Sequence, residues 1–184
     1  MSRILRFGGF AAVLAVATGL AIGPASAGVA PKGGPIALYA TISASSTPGK
    51  IVLAGAIGDW GKVTSIDKNG KPDENGNFVM VTLKKGTFEI DATTLNKTMS
   101  NPRPQVQSGV TCSIAASGTG PVKFFNGTGL YKGISGTANV TMTFTGVGGR
   151  YQSGAKKGQC EQGNWPPVAM LGSVTGRGTV HFTA

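Results

Sequence analysis

The segment Gly136–Gly146 constrains the fold more than any other. Ala138, Val140, Met142 and Phe144 alternate with Thr137, Asn139, Thr141, Thr143 and Thr145. A period of two over ten residues, carried by β-branched threonines, places apolar and polar side chains on opposite faces of a strand. The scheme recurs at Thr179–Thr183, where Val180 and Phe182 alternate with Thr179, His181 and Thr183, and at Thr87–Asp91, where Phe88 and Ile90 oppose Glu89 and Asp91. Val110, Cys112 and Ile114 read as one face of a further strand. Less regular apolar runs lie at Ile36–Ile42, Lys50–Ile57, Phe78–Leu83, Val122–Phe125 and Val168–Val174. The 30 glycines and 10 prolines divide these runs, and Asn69-Gly70, Asn75-Gly76 and Asn126-Gly127 are turn dipeptides that accept positive φ. Thr93–Met99, ended by Asn101-Pro102, is the one helical candidate. Eight or nine short strands at this spacing make an all-β domain, either a sandwich or a closed antiparallel barrel.

The first 27 residues read as an export signal rather than as part of the fold. Arg3 and Arg6 form a basic start, Phe10–Ile22 an apolar stretch, and Ala25-Ser26-Ala27 the small residues of a cleavage site. The expected organisation is a signal peptide over 1–27 and one all-β domain over 28–184, with Gly28–Pro35 as a loose start. Localisation follows as secreted or within the cell envelope. In that oxidising setting Cys112 and Cys160, the only cysteines, are expected to form a disulfide. Closing a loop of this size is worth about 4 kcal/mol in the chain-entropy account.

Without Arg3 and Arg6 the chain keeps 15 lysines and arginines against 7 acids, a net charge of +8. Such a balance favours anionic surfaces, including envelope polymers. The basic residues are dispersed, and only Lys84-Lys85 and Lys156-Lys157 are adjacent, a pattern that argues against nucleic acid. Asp67–Asn77 is rich in oxygen donors, but the spacing of a calcium loop is missing. Two Asn-Gly turns in a polar hairpin account for it, and no metal is expected.

Gly127-Thr-Gly-Leu-Tyr-Lys-Gly-Ile-Ser-Gly136 lacks the Lys-Ser/Thr ending and following helix of a phosphate-binding loop. It leads instead into the best strand of the chain, so its glycines read as a tight connection. With that strand, residues 127–146 resemble the Gly-Thr-Gly-x-Phe…Gly hairpin of the dirigent and allene oxide cyclase barrel group and of small exported actinobacterial proteins. Val168–Phe182 resembles the closing strands of such a barrel more loosely. The resemblance implies an antiparallel barrel of about eight strands around a small apolar cavity. The catalytic aspartates and arginines of those plant enzymes have no motif-matched positions here, so no catalytic residue carries over.

The expected function is therefore a non-enzymatic exported barrel that binds a small apolar ligand or an anionic cell-envelope component, without a cofactor. Two alternatives stand beside it: a cyclase, isomerase or dirigent-type enzyme using the cavity, and a secreted structural or antigen-like protein without a small ligand. Candidate ligand-binding residues are Glu89, Asp91, Tyr131, Trp165 and His181. The carboxylates qualify only if their face lines a lumen. No Gly-x-Ser-x-Gly elbow accompanies His181, the only histidine. Material collected from the culture medium should have the mass of a chain starting at Gly28. A full-length mass in the membrane fraction would contradict the signal-peptide reading.

Overall fold

A computed structural model describes residues 32–43, 48–100, 105–161 and 168–183. The signal segment and Trp165 lie outside them. Among the described residues nine strands form: β1 (Gly34–Ser43), β2 (Gly49–Gly55), β3 (Asp59–Ile66), β4 (Phe78–Leu83), β5 (Gly86–Asp91), β6 (Gln105–Ser108), β7 (Ser113–Phe125), β8 (Ile134–Val147) and β9 (Ala169–Phe182). One helix, α1 (Thr93–Ser100), follows β5. All pairings are antiparallel, in the order β5-β4-β3-β2-β1-β9-β8-β7-β6. Three residue pairs, Glu89–Phe125, Ile90–Phe124 and Asp91–Lys123, join β5 to β7. They close eight strands into a barrel and leave β6 outside the ring, against the start of β7. The sandwich alternative is thereby excluded.

The alternating pattern sets the inner face. Ile36, Leu38, Ile51, Leu53, Val81, Phe88, Ile90, Val122, Phe124, Ala138, Val140 and Val180 point inward and form one buried core. Phe88 meets Phe124 and Tyr131 edge-on, with ring centroids 5.9 and 5.7 Å apart. An eight-stranded barrel is just wide enough for side chains to fill it, and here they do.

Closure by only three pairs leaves a gap further along β5 and β7, and α1 fills it. Asp91 Oδ1 accepts the Thr93 amide proton (2.9 Å), which satisfies an otherwise unpartnered donor at the helix start. Leu95 is then buried among the inward side chains. It fits because its neighbours on β7 are glycines: a Cβ at Gly120 would stand 3.0 Å from the Leu95 Cα, and one at Gly118 would stand 2.5 Å from the Met99 sulfur.

At the opposite end of β5 the glycine segment crosses the barrel mouth. Thr128 and Leu130 donate backbone hydrogen bonds to Thr87 and Lys85 (2.8 and 3.0 Å). Gly129 has φ +58° and would press a Cβ to 2.5 Å from the Lys85 carbonyl oxygen, so a side chain is excluded there twice over. The turn drives Tyr131 into the core. The segment is thus a connection at a barrel mouth, as its glycines suggest.

Several expectations need correction. Cys112 is not on a strand but in a turn with φ +54°, ahead of β7. Cys112 is buried whereas Val110 is 82% exposed, so the two do not share a strand face. Gly34 and Pro35 begin β1, paired with Val180 and Thr179, because β9 is long enough to template them. Phe144 is only half-buried, since β8 runs on past the core. The disulfide does form: Cys112 and Cys160 are bonded with Cα atoms 5.3 Å apart, tying the turn before β7 to the 148–161 loop. In that loop the Arg150 guanidinium donates to the Gly158 carbonyl (2.6 Å) and to that of Val110.

Gly120→Val should lower stability by about 1–3 kcal/mol, because Leu95 cannot retreat from a filled interior. Gly109→Ala, where a Cβ meets nothing within 4 Å, should leave the urea midpoint nearly unchanged. Equal midpoints for the two variants would mean that α1 does not plug the barrel.

Candidate binding face

The four candidate residues that are described, Glu89, Asp91, Tyr131 and His181, do not converge. Glu89 and Asp91 alternate with the inward Phe88 and Ile90, so both lie on the outside of β5. Asp91 caps α1, and the Thr93 hydroxyl and amide hold its carboxyl below the ordinary value despite the opposing effect of burial. His181 alternates with buried Val180 and is exposed on β9, opposite Ser135. Among the four described candidates only Tyr131 points inward, and it is 1% exposed.

Tyr131 takes part in a buried polar latch. Its hydroxyl donates to Asp59 Oδ2 at 2.5 Å. The same carboxylate accepts the amide protons of Trp60 (2.7 Å) and Lys85 (3.1 Å). Burial raises the Asp59 pKa, but the Tyr131, Trp60 and Lys85 hydrogen bonds together outweigh it, so the net shift is downward. Burial and then the Asp59 hydrogen bond push the Tyr131 phenol well above its ordinary value. The latch joins the start of β3, the β4–β5 turn and the glycine segment. Its chemistry is consumed internally, with no open side for a reactant.

The outer face of β3, β2, β1 and β9 is different. Trp60, Val52 and Tyr39 are 58, 52 and 50% exposed. They are direct cross-strand partners in one row, Trp60–Val52–Tyr39, which continues through Thr175, Thr141 and Thr119. The Thr119 and Thr141 hydroxyls are 2.8 Å apart and hydrogen-bonded. Cations flank this row on both sides. Lys50 and Lys62 are partners in the adjoining row, and Arg177, paired with Ala37 and Asn139, lies in the row beyond. The Lys84 ammonium sits 4.5 Å from the Trp60 ring centre. Tyr39, Asn139, Thr141, Thr175, Gly176 and Arg177 line an open groove of about 310 Å³.

Electrostatically the face is one-sided. Strands β1, β2, β7, β8 and β9 contain no acidic residue. The single acid of β3, Asp59, is turned inward to the latch. Lys50 and Lys62 are directly opposed, and like charges in that position repel one another. Sequence reading missed this face because it depends on strand register. The available signal was Val52, an apolar residue of the Lys50–Ile57 run out of phase with Ile51 and Leu53.

Comparison with protein-family models, curated proteins and solved structures finds no match to this chain. Among the described residues no helix is long and apolar enough to cross a membrane.

The latch generates a pH prediction with a definite sign. Asp59 is more acidic when folded, so its stabilisation is complete above its ordinary pKa of 3.8 and declines as pH falls toward the folded value. Tyr131 is less acidic when folded, so its stabilisation is complete below 10.0 and declines as pH rises beyond it. Tyr131→Phe should cost about 1.5–3 kcal/mol at pH 7, the range for hydrogen bonds to charged groups. It should also shrink the acid limb of the urea-midpoint profile. An unchanged profile would show that the latch does not stabilise the fold.

Proposed function

We propose that this chain is an exported, non-enzymatic β-barrel that binds an anionic cell-envelope component through the outer face of β9, β1, β2 and β3. The observation that carries this reading is the placement of Lys50, Lys62 and Arg177 on either side of exposed Trp60 and Tyr39, on strands whose one carboxylate faces inward. Export is supported by the basic, apolar and Ala-x-Ala regions of the first 27 residues and by the Cys112–Cys160 disulfide. Of the two ligand classes expected from sequence, the apolar one has less support, because side chains fill the barrel interior. Cyclase or dirigent-type chemistry has less support for the same reason, and because Glu89, Asp91 and His181 lie on the outer surface.

Retention on immobilised anionic polymer should be salt-sensitive, since the screening length shrinks from about 10 Å at 0.1 M salt to about 3 Å at 1 M. Replacing both Lys50 and Lys62 with glutamine should weaken binding about tenfold, an effect concentrated where charges meet their partner. Replacing Lys156 and Lys157 removes the same charge from a distant loop and should change binding little. Equal losses from the two double variants would reduce the interaction to net charge and overturn the assignment to this face.

A further inference from the structure

We infer that the anionic partner is an extended chain of pyranose sugars lying across the strands, with alternate rings stacked on Trp60 and Tyr39. This rests on the reading of the outer face as an anion-binding surface and adds what the aromatic row contributes to it. Trp60 and Tyr39 occupy the same cross-strand row and are separated by one residue, Val52, on the strand between them. Two inter-strand steps are roughly 10 Å, which is the advance of two rings in an extended β-linked pyranose chain. The apolar faces of sugar rings suit exposed aromatic side chains, which stay half open here.

The rest of the surface fits the same occupant. Beyond Tyr39 the row continues as threonines, and Asn139 and Arg177 complete the groove, supplying hydroxyl, amide and guanidinium groups to ring hydroxyls and carboxylates. Lys50 and Lys62 run beside the stretch between the two aromatics, where carboxylates projecting from a uronate chain would meet them. A polyphosphate would use the cations but has no apolar face for Trp60 or Tyr39. The aromatic part of the row covers three neighbouring strands of eight, so Trp60, Val52 and Tyr39 form one continuous strip of the outer face.

The test is calorimetric titration of the full folded chain with β-1,4-linked mannuronate oligomers and with inorganic polyphosphate of matched charge. The hexamer should bind roughly tenfold or more tightly than the dimer, which is too short to span both aromatics. Trp60→Ala should remove that gain while leaving dimer affinity within about twofold, because the dimer is held by the Tyr39–Arg177 groove. Polyphosphate affinity should be indifferent to Trp60→Ala. Unchanged melting temperature and circular dichroism establish that the variant is folded. A hexamer no tighter than the dimer, or a gain that survives Trp60→Ala, overturns the sugar-chain inference and leaves anion binding standing. Absence of salt-sensitive binding by either polymer removes the underlying reading as well.

Discussion

Closure of β5 against β7 by three residue pairs is the constraint on which the rest of the structure depends. A ring of eight strands has an interior only wide enough for side chains, and a short closing seam leaves part of that interior to be covered by something else. The chain meets the requirement at both ends of β5. At one end α1 inserts Leu95 over Gly120, and at the other the glycine segment inserts Tyr131 beneath Asp59. Both devices rely on glycine for a spatial reason: backbone or side-chain atoms stand where a Cβ would be. With the inside committed to packing, the proposed recognition is assigned to the outer face of the strands.

That outer face reflects where the acids are placed. Seven acidic residues are few, and their positions matter more than their number. Asp67 and Asp73 serve the β3–β4 loop, where their carboxylates accept amide protons from Asn69, Lys71 and Asn75. Asp91 caps the helix, and Asp59 is sequestered in the latch. β9, β1 and β2 contain no acidic residue, and the single acid of β3 is Asp59. The outer face of these four strands is electropositive because of where the acids lie, although the basic residues are dispersed along the chain.

The sequence made the fold class legible wherever packing is encoded by local alternation. Ala138 and Val140 face inward as their period requires, as do Phe88, Ile90 and Val180, and the Thr93–Met99 helix forms almost to the residue. Legibility failed where geometry depends on distant partners. Asp59–Ile66 mixes Trp, Gly, Lys and Ser and has no clean period, yet it is a strand because β2 and β4 flank it. The stretch Gly118-Thr-Gly-Pro121 carries no strand signal of its own, yet it lies within one 13-residue strand, where its glycines make room for α1. Tyr131, a candidate ligand-binding residue in the sequence, is buried with its hydroxyl donating to Asp59. The proposed binding face was least legible of all, since Trp60, Val52, Tyr39 and Arg177 become neighbours only through the register of four strands.

The most direct test of the central claim is residue-resolved NMR of the folded chain titrated with a uronate hexamer. The account predicts that perturbed resonances include the Trp60 indole N–H and the side-chain signals of Tyr39, Val52, Lys50, Lys62 and Arg177. The inward methyl groups of Leu38, Leu53 and Leu95 should stay still. Shifts confined to those inward methyls, or centred on the 148–161 loop, would contradict it.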